Sequence, residues 1–382
     1  MPPPDNVMKI STDTPREAMK ILYDYQAFLQ DFGGISRYFY ELIRNLDEDG
    51  SIVCQLPPML SNNEYIRGAK FFRHLAFFEG KRFKGKERIM SSINGFLSTK
   101  SLARRNFDVF HPTYYNPYFL DDIGTNPFVL TVYDMMHEIF PQFFSGNTIR
   151  EWKKILVEKA TKIVAISHST KRDLVEILNV PPDKIEVIWL GSSIHISHDE
   201  GTVAGLPERY LLYVGRRGDQ KNYPFFVRSI SEIIRADRSL LLVCAGGGGF
   251  NEAEKELHAE LGITTRVVNV SADNLHLGSL YKHALAFVFP SLYEGFGIPI
   301  LEAFESMCPV ICSDTSSLPE VGGDAALYFS PNNEDSISNA VCTVLQSPEL
   351  SRDLVEKGSL RLREFSWAET AKKTASVYRN II

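Results

Sequence analysis

"ALAFVFPSLYEGFGIPILEAFE", residues 284–305, combines the signals of a buried strand, a glycine-containing turn and a helix. The apolar, β-rich start predicts the strand, and Pro299 fits the first position of a helix, where no backbone N–H is needed. Gly295 and Gly297 expose backbone N–H groups just ahead of that helix. Since the N-terminal end of a helix carries partial positive charge, the turn predicts an anion-binding site at the end of a strand.

Two glutamates, Glu294 and Glu302, flank this turn. Carboxylates do not bind an anion, but they accept hydrogen bonds from neutral hydroxyls beside it. We expect Glu302 in the first turn of the helix and Glu294 just before the loop. The helix dipole accounts for Glu302 but not for Glu294 and the glycines together. The stretch therefore predicts a ligand with phosphates in the middle and sugars on either side.

Strand–helix units of this kind recur along the chain, which is the pattern of parallel α/β sheets. A polar stretch after Gly191 predicts a linker near residues 192–206 and therefore two domains. The strands are predicted in "KILYDY", "SIVCQL", "FDVFHP", "FVLTVYD", "KIVAIS" and "IEVIWLG", then in "YLLYVGRRGDQKN", "LLLVCAGGGG", "RVVNV", "ALAFVFPS", "PVICSD" and "AALYFSP". The predicted units are a disordered extension (1–18), two Rossmann-like domains (19–195 and 206–365) and a C-terminal helix crossing back to the first domain (366–382). The apolar stripe of that helix is Trp367, Ala371, Ala375 and Tyr378.

The composition is that of a soluble globular protein, with 44% hydrophobic and 23% charged residues in a chain of 382. The formal net charge of −6 argues against nucleic acid as the partner. The 5 cysteines form no C-x-x-C pair, so we interpret them as the reduced thiols of a cytoplasmic protein. No apolar run is long enough to span a bilayer.

Ligands of open α/β sheets bind outside the carboxyl ends of the strands, and two such sheets facing each other form a cleft. At one strand end, Gly33 and Gly34 either allow close backbone approach to a ligand or serve a turn that simply requires glycine. At another, Arg216, Arg217 and Lys221 either bind a diphosphate or form a solvated basic loop.

The spacing of Glu294 and Glu302 resembles the Glu-x7-Glu motif of retaining GT-B glycosyltransferases of family 4, also described as glycosyl transferases group 1. Further segments resemble the family in the same order: "GGISRYFYEL", "DVFHPTYYNPY", "TVYDMMHEIFP", "AISHSTKRDL", "YVGRRGDQKN" and "SLPEVGGDAALYF". The resemblance implies a GT-B fold of two Rossmann-like parallel α/β/α domains facing a central cleft. It also implies that the N-terminal domain holds the acceptor and the C-terminal domain holds the donor.

The resemblance implies a role for each matching residue. Glu294 contacts hydroxyls of the donor sugar, Glu302 holds the ribose, and Lys221 binds the diphosphate together with an arginine. For that arginine the form x-R-x-x-x-K-N favours Arg217, with Arg216 as second choice. The remaining donor contacts are expected from the two glycine turns, at Gly33, Gly34, Gly295, Phe296, Gly297 and Ile298.

The chain departs from the family at one strand end. Many members have His-Asp where this chain has Tyr133 and Asp134. His137 lies one helical turn further on and stands in for the missing imidazole, or Tyr133 offers its hydroxyl, or His137 is structural. His111, at the end of another strand, either contacts sugar or is a satisfied strand-end histidine. We therefore include Asp134 and His137 in the candidate catalytic set.

The implied reaction is transfer of a hexose from a nucleotide-diphosphate sugar to a glycan or lipid-linked oligosaccharide, with retention of the anomeric configuration. The overall look resembles bacterial mannosyl- or rhamnosyltransferases of surface polysaccharide and lipopolysaccharide synthesis, which favours GDP-mannose as donor. No metal or other cofactor is expected, because basic groups and helix ends supply the positive charge. Two alternatives are a nucleotide-sugar epimerase of the same fold and a non-catalytic sugar-nucleotide-binding subunit.

Residues 67–105 are basic within an acidic chain, with eleven Lys or Arg against two Glu. Phenylalanines are interleaved with the basic residues, namely Phe71, Phe72, Phe77, Phe78, Phe83 and Phe96. This composition suits an anionic membrane surface, and equally a solvated helical face with its aromatics in the core. On the first interpretation the protein is cytoplasmic and docks on the inner face of the cytoplasmic membrane, where it extends a lipid-linked glycan.

Overall fold

The computed structural model describes residues 18–47, 50–69, 73–81, 83–192, 207–270 and 274–382. The predicted N-terminal extension and the predicted linker therefore lie almost entirely outside the described residues. So do Phe71 and Phe72 of the basic segment.

The N-terminal domain is built on parallel strands with helices between them. Its described strands are β1 (Met19–Tyr23), β2 (Ile52–Gln55), β3 (Met59–Leu60), β4 (His74–Leu75), β5 (Val109–His111), β6 (Val129–Val132), β7 (Lys162–Ala165) and β8 (Ile185–Val187). Its described helices are α1 (Gly34–Asp47), α2 (Lys86–Ala103), α3 (Met136–Ile139), α4 (Thr148–Lys159) and α5 (His168–Leu178). The strand orders are β2-β1-β5 and β6-β7-β8, and a bridge between Phe110 and Phe128 joins the two groups.

The C-terminal domain contains one six-stranded parallel sheet. Its strands are β9 (Tyr210–Val214), β10 (Leu241–Ala245), β11 (Val267–Val270), β12 (Ala286–Phe289), β13 (Val310–Ser313) and β14 (Ala326–Phe329). The order is β11-β10-β9-β12-β13-β14, so the strand order reverses between β9 and β12. A crevice at such a switch point is where open α/β sheets bind ligands.

Helices cover both faces of this sheet. They are α6 (Tyr223–Ala236), α7 (Glu252–Glu260), α8 (Asn274–His283), α9 (Ile298–Glu305), α10 (Leu318–Gly322), α11 (Glu334–Gln346) and α12 (Pro348–Arg361). The chain then continues into α13 (Trp367–Arg379). Every residue of β12 and β13 is buried, as expected for strands packed on both faces. The predicted α/β class and GT-B architecture are confirmed, and each apolar run assigned to a strand contains one. The parallel pair β3–β4 was not predicted.

The last helix, α13, packs against the N-terminal domain. The Tyr378 hydroxyl hydrogen-bonds to the Tyr23 hydroxyl on β1 (2.8 Å) and to His111 Nδ1 on β5 (2.6 Å). The predicted stripe of Trp367, Ala371, Ala375 and Tyr378 is buried. The C-terminal end of the chain thus ties the two domains together, and Phe365, just before α13, contacts Phe296 of the turn before α9 with ring centroids 5.9 Å apart.

Candidate active site

The turn of residues 291–297 lies directly against the end of β6 in the other domain. A Cβ atom on Gly295 would be 1.8 Å from the carbonyl oxygen of Tyr133. Glycine is required here because the two backbones approach more closely than any side chain allows. The sequence predicted that Gly295 exposes its N–H to a ligand, whereas its evident structural role is contact between the domains.

Side chains on both sides hold this turn in place. The Tyr293 hydroxyl donates to Asp173 Oδ2 (2.6 Å) and accepts from the backbone N–H of Met135 (3.1 Å). Thr170 Oγ1 donates to the carbonyl oxygen of Gly295 (3.4 Å). The turn is therefore part of the domain interface, and the residues next to it are positioned by both domains.

Helix α9 begins one residue earlier than expected, and this changes the place of Glu302. Gly297 caps the helix with φ at +117°, Ile298 is its first residue and Pro299 its second. The expectation that Glu302 lies in the first turn is wrong, because it is the fifth residue of α9. The helix dipole therefore does not account for this carboxylate, which is 7% exposed.

The Glu302 carboxylate has two described partners. Its Oε1 accepts from Arg37 Nη1 of α1 at 2.9 Å, and its Oε2 accepts from the Tyr281 hydroxyl of α8 at 3.1 Å. Neither partner was predicted, although Arg37 belongs to the quoted motif "GGISRYFYEL". The signal in the sequence was a basic residue only three positions after Gly34, at the start of the predicted helix.

Glu294 and Lys221 form an ion pair within the C-terminal domain, next to the turn. The Glu294 backbone is fixed by two serines, since its N–H donates to Ser316 Oγ (2.9 Å) and its carbonyl accepts from Ser317 Oγ (2.8 Å). Ser317 Oγ also donates to the carbonyl of Phe296 (2.7 Å), whose buried ring makes no polar contact. The ammonium of Lys221 and the carboxylate of Glu294 thus lie together at the carboxyl end of the sheet.

Arg217 is not placed to bind a diphosphate. Its Nε donates to Glu254 Oε1 (2.9 Å), and its other nitrogens donate to the carbonyls of Gly246 (2.9 Å), Gly248 (2.8 Å) and Gly249 (3.0 Å). The side chain is 3% exposed. The preference for Arg217 is therefore corrected: its guanidinium stabilises the glycine turn after β10.

Arg216 is exposed, and the Tyr213 hydroxyl donates to its carbonyl at 2.8 Å. Gly246, Gly247 and Gly248 have φ values of +82°, +73° and +75°, so the run of glycines forms a tight turn. Of the two arginines, Arg217 is thus turned toward this glycine turn, whereas Arg216 is exposed.

The glycine pair of the N-terminal domain opens helix α1. Gly34 is its first residue, and a Cβ atom built there meets nothing within 4 Å. At Gly33 the nearest atom to such a Cβ is Gln30 Oε1, at 3.1 Å. Space is therefore open in front of the positive end of α1, beside the Arg37–Glu302 pair.

Two of the histidine and tyrosine alternatives are wrong. His111 hydrogen-bonds through Nδ1 to Tyr378 and through Nε2 to Thr131 Oγ1 (2.9 Å), so both ring nitrogens are used within the fold. Burial lowers the pKa of His111 to about 3, which keeps the ring neutral. The hydroxyl of Tyr133 is buried and donates to the carbonyl of Thr113 (3.0 Å), so it is not offered to a sugar.

Asp134 and His137 follow β6 at the domain interface. Asp134 Oδ1 accepts from the backbone N–H of Met136 (2.9 Å). The His137 ring stacks on Phe144 with centroids 4.0 Å apart, and its buried Nδ1 has no hydrogen-bond partner among the described residues. Burial, and secondly the charge of Lys153, lower the pKa of His137. This imidazole is therefore neutral near pH 7 and retains hydrogen-bonding capacity.

Neither a metal cluster nor a membrane-spanning helix occurs in the described part of the chain. Within it, no group of three or more His, Cys, Asp or Glu side chains is arranged to hold a metal ion. None of its helices is both long and apolar enough to cross a membrane.

Two facing Rossmann-like domains, with acidic and basic side chains meeting at the strand ends between them, define the GT-B class of glycosyltransferases. Family models match both halves of the chain, as "Glycosyltransferase Family 4" over residues 32–193 and as "Glycosyl transferases group 1" over residues 198–361. The chain belongs to this family and is a glycosyltransferase, as the sequence motifs predicted.

Relatives and solved structures agree with this assignment. The O-antigen chain mannosyltransferase B of Escherichia coli is 26% identical, covering 94% of this chain and 100% of the relative. The O-antigen chain mannosyltransferase RfbU of Salmonella typhimurium is 30% identical, covering 58% of this chain and 61% of the relative. The sucrose-phosphate synthase structure from Thermosynechococcus elongatus has a TM-score of 0.76 at 20% identity, covering 95% of this chain and 99% of that one, a similarity of fold.

Proposed function

We propose that the protein transfers a hexose from a nucleotide-diphosphate sugar to a glycan or lipid-linked glycan, with retention of the anomeric configuration. Two observations carry the proposal: the Lys221–Glu294 pair lies next to the turn that contacts β6, and Glu302 pairs with Arg37 of α1, whose first residue, Gly34, borders open space. Mannose from GDP-mannose is the favoured donor sugar, because two of the relatives are named as mannosyltransferases of O-antigen chains.

In this proposal the bound donor replaces the contact between Lys221 and Glu294. Lys221 and Arg216 bind the diphosphate, and Glu294 is released to accept hydrogen bonds from sugar hydroxyls. Glu302 binds the ribose hydroxyls. Its carboxylate already accepts hydrogen bonds from Arg37 and Tyr281 and can accept further ones from a ligand. The first turn of α1 directs partial positive charge at the phosphates, with Gly34 allowing their close approach.

Chemistry then depends on charge that grows on the departing nucleotide diphosphate. Positive groups aimed at the leaving phosphates stabilise the transition state, and losing one such donor costs about 10²- to 10³-fold in rate by analogy with oxyanion holes. No step in the proposal requires a metal ion. The acceptor attacks from the face that the diphosphate leaves, and the leaving phosphate takes its proton. His137 and Asp134 border this site from the N-terminal domain, where a neutral imidazole can hydrogen-bond to the reacting sugar.

The test begins with thermal-shift screening against a panel of nucleotide sugars and continues with NMR of the product formed from the best donor. The proposal expects release of nucleotide diphosphate together with an α-linked product from an α-linked donor, undiminished by EDTA. A product with inverted anomeric configuration would overturn the proposed retention. Loss of turnover in EDTA would overturn the proposal that no metal ion is required. An epimerase would change the sugar without releasing nucleotide, and a non-catalytic subunit would bind donor without turnover.

Variants of the Lys221–Glu294 pair test the residue assignments. Lys221→Ala and Glu294→Ala should each abolish transfer while the far-UV circular dichroism spectrum stays unchanged. Lys357→Ala is the matched control, because Lys357 forms an exposed pair with Asp353 on α12. Turnover near the wild-type rate in both active-site variants would refute the assignments.

We further propose that the acceptor is presented at an anionic membrane surface, which places the enzyme at the inner face of the cytoplasmic membrane. Three large apolar side chains, Ile89, Ile93 and Phe96, are exposed along one face of α2. Their spacing of four and three residues forms a continuous stripe. Lys100 lies over the Phe96 ring at 4.3 Å and extends the same face. We call this face the α2 stripe.

Neighbouring residues add to the α2 stripe. Leu75, Phe78 and Phe83 are also exposed, and most of the surrounding charges are basic. A polar cavity of about 340 Å³ lies next to this region and is lined by basic and acidic side chains alike, namely Arg67, Lys81, Lys86, Asp31, Glu64 and Glu79. Apolar insertion combined with basic residues, each contributing about 1 kcal/mol near an anionic leaflet, supports reversible docking.

Co-sedimentation with vesicles tests the docking proposal. Wild-type protein should sediment with vesicles containing phosphatidylglycerol at low salt and not with phosphatidylcholine vesicles. A triple serine variant of Ile89, Ile93 and Phe96 should stay in the supernatant, whereas Ile155→Ser and Ile177→Ser, at exposed positions elsewhere in the N-terminal domain, should not change binding. Equal sedimentation of wild type and triple variant would contradict the proposal.

A further inference from the structure

The Arg37–Glu302 ion pair joins the two domains directly beside the proposed donor site. Arg37 belongs to α1 of the N-terminal domain and Glu302 to α9 of the C-terminal domain, and their side chains are 13% and 7% exposed. The N–O distance is 2.9 Å. Two largely buried opposite charges, one from each domain, are thus in contact across the cleft.

The place of Arg37 within its helix is unusual for a cation. It lies three residues after α1 begins at Gly34, where the helix dipole favours negative rather than positive charge. No acidic residue occupies the first turn of α1 to compensate. An anion supplied from outside the helix accounts for this placement, and Glu302 is that anion.

The pair also fixes the orientation of the Glu302 carboxylate. Arg37 holds Oε1 and Tyr281 holds Oε2, so the carboxylate plane is defined by one group from each domain. An ionised carboxylate has about four lone-pair sites, and the two contacts leave about two of them for a ligand. Two adjacent hydroxyls of a ribose match that remaining capacity.

We infer that Arg37 is a positioning residue and that its pair with Glu302 is an interdomain clasp. The clasp holds the domains together and, in the same contact, orients the carboxylate that receives the ribose. When the domains separate, Glu302 loses one of its two supports. Donor affinity and domain closure are therefore coupled through this contact, an inference that rests on the proposed donor site at Glu302.

Small-angle X-ray scattering and calorimetric titration with GDP-mannose test the clasp on the full-length protein. Arg37→Gln should increase the radius of gyration of the ligand-free protein and weaken donor binding about tenfold or more, with turnover reduced by about 100-fold, the scale expected when a binding group is misplaced by about 1 Å. Arg44→Ala is the matched control, because Arg44 lies on the same helix and pairs with Glu41 within it. It should change neither measurement.

A charge exchange separates positioning from a general effect on folding. The double variant Arg37→Glu with Glu302→Arg should regain the compact form but not donor binding, because the carboxylate is then on the wrong helix. A compact Arg37→Gln protein with wild-type donor affinity would overturn the inference, as would a folded double variant that stays expanded. If the wild type binds no nucleotide sugar, the proposed function fails, while the scattering measurements still decide on the clasp.

Discussion

Substitution of Gly295 by alanine tests whether close contact between the domains is needed for activity. The added Cβ would lie 1.8 Å from the Tyr133 carbonyl oxygen, and Cβ contacts below 3.0 Å essentially never occur. The turn must therefore retreat from β6 by at least 1.2 Å, the difference between 3.0 and 1.8 Å. The two nearest atoms, the carbonyl oxygen and carbon of Tyr133, belong to the backbone, so no side-chain rotation relieves the clash.

A displacement of this size moves Glu294, the residue before Gly295, away from the opposing domain. Because misplacement by about 1 Å can cost about 10²-fold in rate, we expect kcat of Gly295→Ala to fall about 100-fold. The domains can separate slightly without unfolding, so the circular dichroism spectrum should be retained. The assay is release of nucleotide diphosphate from the donor identified by screening.

Gly249→Ala serves as the control, since a Cβ there meets nothing within 4 Å. Loss of activity in this control as well would point to a general effect of substitution rather than to the interface. Wild-type turnover by a folded Gly295→Ala protein would refute the reasoning, because it would mean that the turn can leave β6 without disturbing the site.

Three further substitutions test separate parts of the account. Arg216→Ala should lower turnover about 10²- to 10³-fold without changing the melting temperature. Arg217→Ala should instead lower the free energy of unfolding in urea by about 3–5 kcal/mol, because it leaves Glu254 buried without its partner. The reverse pattern would favour Arg217 as the diphosphate ligand. Gly34→Ala should preserve stability, since the position is open, yet raise the donor KM because the methyl group occupies the space proposed for phosphate; an unchanged KM would contradict that proposal. For His111, the folded pKa of about 3 lies below the unfolded value of about 6.5, so its contribution to stability is complete above pH 6.5 and declines as the pH falls toward 3, by about 2 kcal/mol at pH 5. His111→Gln should remove that part of the pH dependence, measured by urea unfolding at pH 7 and pH 5, and an unchanged slope would count against the buried neutral ring.

The sheets and the last helix were predictable from the sequence because buried parallel strands appear as apolar runs. The stripe from Trp367 to Tyr378 follows helical periodicity and needs no knowledge of its partner. The pair β3–β4 escaped prediction since two residues are too few to give a pattern. The position of Glu302 was misjudged because one residue at a helix start decides which turn a side chain belongs to.

Contacts through space account for most of what the sequence did not predict at the candidate site. Arg37 and Glu302 are separated by 265 positions, and no local pattern links them. The choice between Arg216 and Arg217 depends on which of the two side chains is directed toward the turn at Gly246–Gly249. The order of these residues in the sequence does not reveal this. The need for glycine at position 295 was evident, but its cause lies in a strand of the other domain.

The position of a bound nucleotide diphosphate tests the central claim most directly. In a crystal structure with the donor or with GDP, we predict the pyrophosphate between the Lys221 ammonium and the N-terminal end of α1, with the ribose hydroxyls on Glu302. A pyrophosphate bound outside the gap between the two domains, or a ribose without contact to Glu302, would contradict the account.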